Sequence, residues 1–235
     1  MEAISHAGTV LGILAKDGVV LAAEKKVTSK LLEQDKSSEK VFQLSGNVIA
    51  GVAGLTADAN SLVNYARNAA QKYLLSYDDE IPVEQLVQRL CDMKQGYTQF
   101  GGLRPFGVSF LYAGYDPHHE FQLYQSDPSG NYSGWKAMCI GMNNGTATSL
   151  LKQEYKEDFS VQDALGLAAR VLSKTMDTTA MESDKLEFAV LVRNPRTGEP
   201  QPHILSPEEI DSVLKRQKLA KVDENATGDT MAVDA

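Results

Sequence analysis

Two stretches decide the fold: Thr9-Val10-Leu11-Gly12-Ile13-Leu14-Ala15-Lys16-Asp17-Gly18-Val19-Val20-Leu21-Ala22-Ala23-Glu24, and Lys40-Val41-Phe42-Gln43-Leu44-Ser45-Gly46-Asn47-Val48-Ile49-Ala50-Gly51-Val52-Ala53-Gly54. Each reads as a β-hairpin. Asp17-Gly18 between two apolar runs is a strong hairpin signal, because the turn is expected to need positive φ and glycine supplies it. Ser45-Gly46-Asn47 plays the same part in the second hairpin. The strands are near-continuous apolar runs rather than clean alternations, which predicts a sheet covered on both faces.

The remainder follows in the same manner. A helix is expected after Gly54, with Thr56 as its N-cap, Asp58 in its first turn and an apolar stripe from Leu62 to Leu74. Pro82 opens a second helix, whose stripe is Leu86, Leu90, Met93 and Tyr97, and which Gly101-Gly102 ends. Strands are expected over 108–114, 120–125 and 135–140. Between the last two lies the turn Asp127-Pro128-Ser129-Gly130-Asn131, where Pro presets φ and Gly allows φ > 0. Gly141 to Gly145 leads into a helix through Leu150, Leu151 and Tyr155. Ser160 and Asp163 cap the next helix, which carries Ala164, Leu165, Ala168, Val171, Leu172 and Thr175. Strands over 186–192 and 203–205 flank the turn at 194–198, and Ser206-Pro207-Glu208-Glu209 opens a last helix. Lys25 to Lys40 reads as a polar surface connection. Residues 217–235 read as a disordered acidic tail after a single domain over 1–216. Strand runs separated by helix pairs predict an α+β fold, two stacked sheets with helices outside.

Bulk numbers exclude several classes. Of 235 residues, 43% are hydrophobic and 23% charged, the balance of a globular domain. No apolar run reaches the roughly 20 residues a membrane helix needs. The start, Met1-Glu2-Ala3-Ile4-Ser5-His6, has no basic region and apolar core of a secretory signal. A formal net charge of −8 disfavours a nucleic-acid partner. Cys91 and Cys139 lack metal-type spacing and read as reduced core thiols.

The motifs resemble a known family. The first hairpin, Glu24-Lys25-Lys26 after it, Glu39-Lys40-Val41 opening the next strand and Gly54 closing it are similar to the core of 20S proteasome subunits. Tyr97-Thr98-Gln99-Phe100-Gly101-Gly102, Arg104-Pro105-Phe106-Gly107-Val108, Gln125-Ser126-Asp127-Pro128-Ser129-Gly130 and Trp135-Lys136-Ala137 resemble its alpha-type branch. Phe100 and the block Asp92-Met93-Lys94-Gln95 are similar to the type-4 group of that branch. The likeness runs from Met1 to about Arg216. It implies a four-layer αββα sandwich of the N-terminal-nucleophile hydrolase type, built of two mainly antiparallel sheets between helix layers. It also implies that the chain starts inside the helix before the first strand, with the family's N-terminal tail and most of that helix absent from this sequence.

The same resemblance bears on chemistry. Active members begin at a threonine whose free amine serves as base, with a lysine nearby. Lys40 matches that lysine, Gly54 the glycine, and Glu24 stands where active members have an aspartate. The position matching the threonine is Gly8. Thr9 is a decoy: it would carry a free amine if the chain were cut before it. One residue of slip in a strand turns a side chain to the opposite face, so Thr9 is expected to point away from Lys40. No catalytic residue, cofactor site or metal site is therefore expected. His118-His119 sits in a turn without further ligands, and His6 and His203 have no sequence partners. Ser129 and Ser133 lack a nucleophile-elbow context, and no Gly-Lys-Ser/Thr follows Gly141 to Gly145.

Lys40 has two readings. It is either a plain strand-opening lysine, exposed or paired with Glu24 or Glu39, or, as the resemblance implies, the cation of a pocket between neighbouring subunits. In the second reading, with Gly54 and Leu55 beside it, it takes the C-terminal carboxylate of an activator's tail. Next to the polar Ser37-Ser38-Glu39, its ammonium is expected at solvent or at a pocket rim.

The preferred functional expectation is a non-catalytic alpha-ring subunit serving ubiquitin-dependent proteolysis in cytoplasm and nucleus. Its expected partners are six other alpha subunits, a beta ring and the ATPase tails of a regulatory particle, with no nucleic acid and no membrane. A threonine peptidase processed before Thr9 and a free-standing binding module on a dead hydrolase fold are the alternatives.

Overall fold

The computed structural model describes residues 2–25, 40–176 and 181–219. Most of the polar connection expected over 25–40, and the acidic stretch beyond 219, lie outside the described residues. A short helix α1 (Glu2–Ser5) leads into strands β1 (Val10–Ala15), β2 (Gly18–Glu24), β3 (Val41–Gln43) and β4 (Val48–Gly54). Helices α2 (Thr56–Tyr77) and α3 (Val83–Gln99) follow, then β5 (Val108–Asp116), β6 (Glu120–Ser126), β7 (Tyr132–Gly134) and β8 (Ala137–Ile140). The chain continues through α4 (Asn144–Glu154), α5 (Val161–Thr175), β9 (Leu186–Arg193), β10 (Pro200–Ile204) and α6 (Pro207–Arg216).

Two five-stranded sheets result, β10-β9-β2-β1-β8 and β3-β4-β5-β6-β7, with every pairing antiparallel. Strand side chains alternate between two cores, which explains why the strands read as continuous apolar runs. On β2, Val20 and Ala22 join the cluster under α4, α5 and α6, while Val19, Leu21 and Ala23 join the cluster between the sheets. On β4, Val48, Ala50 and Val52 face α2 and α3, while Ile49 and Ala53 face the other sheet. The order helix, sheet, sheet, helix is the αββα sandwich that the family resemblance implies.

The capping boxes at Ser160–Asp163 and Ser206–Glu209 form as expected, and Gly130 takes a φ of +88° in its turn. Other local expectations need correction. Thr56 is not the N-cap of α2; Leu55 is, with no side-chain cap. The strand expected over 135–140 begins only at Ala137, with β7 set apart before it. The first hairpin turns without any positive φ. It is held from outside instead: Lys16 N–H donates to Phe159 O at 3.0 Å, and Val161 N–H donates to Asp17 Oδ1 at 2.8 Å. Gly18 is required by crowding, since a Cβ there would lie 2.5 Å from Leu191 O.

Among the described residues, strand β10 forms one edge of its sheet, with β8 at the other. Leu205 N–H donates to Phe188 O, and Asn194 N–H donates to Glu199 O. The odd-numbered residues of this edge therefore bond inward, and Pro200 and Pro202 take outward-facing positions.

Candidate functional site

The family's nucleophile position falls just before β1. Among the described residues nothing there is built for attack on a carbonyl. Gly8 carries no side chain, and the backbone continues through Ala7 into α1, with Met142 N–H donating to Ala7 O at 2.9 Å. Thr9 is fully buried. Its Oγ1 donates to Met142 O at 2.9 Å, and its N–H donates to Glu24 Oε2 at 3.3 Å. Its hydroxyl is thus turned toward the loop that follows β8. The space beside Gly8 is taken by Lys40: a Cβ built on Gly8 would collide with the Lys40 ammonium and lie 2.8 Å from Glu24 O. The register that places Gly8 rather than Thr9 opposite Lys40 is the one seen.

Lys40 enters the site as the residue before β3. Its N–H and that of Val41 both donate to Glu187 Oε2, at 3.1 Å each, and its carbonyl accepts from Val52 N–H at 2.9 Å. Glu187 lies on β9, in the opposite sheet, and is 4% exposed; Lys25 Nζ is 3.6 Å from its other oxygen. One carboxylate thereby ties the edge of one sheet to the neighbouring sheet. Such charge-assisted bonds are the strong ones, and here they fix the backbone from which the Lys40 side chain departs. The expectation that its ammonium reaches solvent or a rim is corrected: Nζ is buried in the single chain. Glycine at position 8 is the physical reason, because it leaves room inward.

Gly54 and Leu55 lie at the same end of the second sheet, beyond Val52. Gly54 has φ +136°, a region open to glycine, and a Cβ there would collide with Gly107 O. Leu55 N–H donates to that same Gly107 O at 3.0 Å, while its side chain is 45% exposed. Asp58, one turn into α2, braces the segment across from it. Arg104 Nη1 and Nη2 each donate to its carboxylate at 2.8 Å, and Gly107 N–H donates at 2.8 Å. The bond from Arg104 first, then that from Gly107, holds the Asp58 carboxyl below its ordinary range despite its burial. Gly54, Leu55 and the 104–107 segment therefore form one cross-linked unit, and the exposed Leu55 is held in place rather than left loose.

Sequence reasoning passed over three of these features. Glu187 carries a readable signal, a carboxylate inside the apolar run from Leu186 to Val192. Arg104 and Asp58 are far apart in sequence, so their pairing leaves no local trace. Lys94 is the third. It lies four residues after Leu90 on the buried face of α3 and is fully buried, its Nζ donating to Ser126 Oγ at 2.9 Å and lying 4.7 Å from the centre of the Phe110 ring. Tyr112 Oη is 2.9 Å from the same Ser126 Oγ. Ser126, Lys94 and Tyr112 are types that serve catalysis elsewhere, but all three are closed off inside the core between α3 and its sheet.

The remaining polar groups have structural work. His118 and His119 donate their backbone N–H groups to Asp116 Oδ1, and Val83 N–H at the start of α3 donates to Asp116 Oδ2. Ser133 Oγ accepts from Trp135 Nε1. Among the described residues no group of His, Cys, Asp and Glu could hold a metal ion, and no helix is long and apolar enough to cross a membrane.

Comparison with known proteins agrees with this geometry. The family description "Proteasome subunit" fits residues 4–191. The chain is similar to proteasome subunit alpha type-4-1 of Oryza sativa subsp. indica, at 57% identity over 221 residues, covering 94% of this chain and 88% of the rice protein. It is also similar to proteasome subunit alpha type-3 of Saccharomyces cerevisiae, at 55% identity over 229 residues, covering 97% and 89%. A probable proteasome subunit alpha type-3 of Schizosaccharomyces pombe is 54% identical over 216 residues, covering 92% and 87%. Likeness of this extent, on a sandwich whose nucleophile position holds a glycine, leaves one conclusion: the chain belongs to the proteasome subunit family, among its alpha-type members.

Proposed function

We propose that this chain is a non-catalytic alpha-ring subunit of the 20S proteasome core particle, resembling the type-4 group. Its work is assembly, gating and the docking of regulatory particles in ubiquitin-dependent degradation, in cytoplasm and nucleus. Six other alpha subunits complete its ring, a beta ring stacks beneath, and the C-terminal tails of regulatory-particle ATPases dock beside Lys40, Gly54 and Leu55. One observation carries the non-catalytic reading: the volume a nucleophile would need beside Gly8 is occupied by the Lys40 ammonium, and the hydroxyl of the adjacent Thr9 is buried and committed to Met142 O. N-terminal threonine catalysis needs a free amine and a hydroxyl on one residue facing the substrate.

What supports the tail-docking part is narrower. Lys40 is a cation whose backbone is fixed on both sides, and Leu55 offers exposed apolar surface at the same end of the sheet. A point charge beside an apolar wall suits a chain-terminal carboxylate. Native mass spectrometry of the complex that forms around this chain in cells tests the assembly reading. A particle containing seven different alpha subunits is expected, and a lone 25.6 kDa species would overturn it.

A further inference from the structure

The sequence holds one Asn-Gly pair, Asn144-Gly145. The side-chain amide of an asparagine is open to attack by the main-chain nitrogen of the next residue, and a following glycine has no side chain to hinder the approach. In this fold the pair opens α4, and both residues are exposed. The N-cap before them, Asn143, makes no side-chain cap bond; its Nδ2 is turned away and donates to Thr175 O at 2.8 Å. The opening bond of the helix runs from Ala147 N–H to Asn143 O at 3.1 Å. Gly145 N–H lies ahead of that bond and has no acceptor among the described residues. A Cβ built on Gly145 would meet nothing within 4 Å, so the surroundings of its nitrogen are open. An uncapped helix end frays readily, and fraying is the motion that lets the Asn144 amide carbon reach this nitrogen.

Other asparagines show what is missing elsewhere. Asn60 precedes the small Ser61, but both lie well inside α2, where the Ser61 N–H belongs to the helix ladder. Asn47 is buried and its Nδ2 donates to Ile81 O and Tyr115 O. Asn194 precedes Pro195, which has no N–H to attack with.

We propose that Asn144 is a site of spontaneous modification, converting to aspartate and isoaspartate through a cyclic imide with Gly145. The Gly145 nitrogen bonds to Asn144 Cγ and gives up its proton to solvent. The Cγ–Nδ2 bond breaks, and the amide nitrogen takes up a proton and leaves as ammonia. One water then opens the imide. Opening at Cγ gives aspartate; opening at the main-chain carbonyl gives isoaspartate, whose main chain runs through the side-chain carbon. The two products act differently on α4. An aspartate places a negative charge in the first turn, where the helix end favours it. An isoaspartate adds a methylene to the main chain and breaks the register of the bond from Ala147 to Asn143, so the first turn is lost.

The test incubates the full chain at mildly alkaline pH and physiological temperature, folded and, in parallel, unfolded in urea, and follows each asparagine by peptide mapping. The folded chain is expected to gain about 1 Da at residue 144 while Asn60 stays intact. A methyltransferase specific for isoaspartyl carboxylates is expected to label residue 144, and hydroxylamine to cut the imide form between 144 and 145. Gly145→Ala fits the open space and keeps the helix, and it is expected to slow the conversion at least severalfold. Three results would each overturn the proposal. One is Asn144 intact in the folded chain while it converts in urea, which would show that the fold protects it. Another is conversion of Asn60 in the folded chain as fast as that of Asn144. The third is a rate unchanged by Gly145→Ala.

Discussion

Replacing Lys94 by methionine should stabilise the fold at neutral pH and remove one component of its pH dependence. Lys94 is fully buried, and desolvation pushes its ammonium down from 10.5 to about 8. Each pKa unit is about 1.4 kcal/mol, so holding the charged form inside costs about 3 kcal/mol at pH 7. Methionine keeps the stem's packing without the charge. It forfeits the bond to Ser126 and a longer one to Val108 O at 3.4 Å, together about 1 kcal/mol, and leaves Ser126 Oγ paired with Tyr112 Oη. The variant should then be about 2 kcal/mol more stable at pH 7. The folded pKa lies below the unfolded one, so between pH 8 and 10.5 the unfolded chain binds more protons and the Lys94 contribution rises with pH. Below pH 8 the full cost is present; most of it is lost by pH 10.5 and the rest above it, where the wild type should become the more stable by up to about 1 kcal/mol. Other groups run the opposite way: burial pushes the Cys91 thiol up to about 11, the Cys139 thiol up to about 12, and the Tyr112 hydroxyl up as well. The difference between variant and wild type, not either curve alone, is therefore the quantity to follow. Equilibrium urea unfolding of the purified chain from pH 7 to 10.5 supplies it. A gap that stays constant across that window would refute the reasoning.

Three more outcomes are expected. Asp58→Asn should lower stability by on the order of 1 kcal/mol, a modest value because Arg104 stays largely exposed and its pairing is screened; the Asp58 carboxyl sits below 3.8, so in thermal melts the loss should be full at pH 7 and shrink only in strong acid. Ser160→Ala breaks a complete capping box and should cost about 1 kcal/mol in urea unfolding, whereas Ser149→Ala on exposed α4 surface should cost less than about 0.5. A threonine-directed electrophile should leave the intact mass of the chain unchanged; stoichiometric addition at Thr9 would contradict its burial and its bond to Met142 O.

Much of the fold was legible because it rests on local rules. The near-continuous strand runs announced sheets covered twice, and Ser160-x-x-Asp163 and Ser206-x-x-Glu209 announced two helix starts to the residue. The misreadings share a cause, a tertiary partner that outbid a local preference. Thr56 looked like a cap, but Leu55 N–H is bonded to Gly107 O and Asp58 answers to Arg104, so the helix starts one residue early. Gly18 looked like a positive-φ turn residue, yet the turn is shaped by Phe159 and Val161 and the glycine answers to crowding against Leu191. At the site, the resemblance matched Gly8 to the position beside Lys40, and register turned Thr9 away from it. The direction of the lysine's ammonium was beyond reach, because it depends on what is missing from a residue far away in sequence.

The prolines on β10 have a consequence for how copies of this chain can meet. With Pro200 and Pro202 in the outward positions, that side of the strand lacks two of the N–H groups a further strand would need as donors. A half-unpaired sheet edge is a template for open-ended fibrils, and in a chain made to associate through its surfaces the hazard is acute. Here the template is blank where it would be read. Copies crowded together during synthesis cannot zip along this edge, and association is left to side-chain surfaces, whose shape can favour a closed ring over an endless stack.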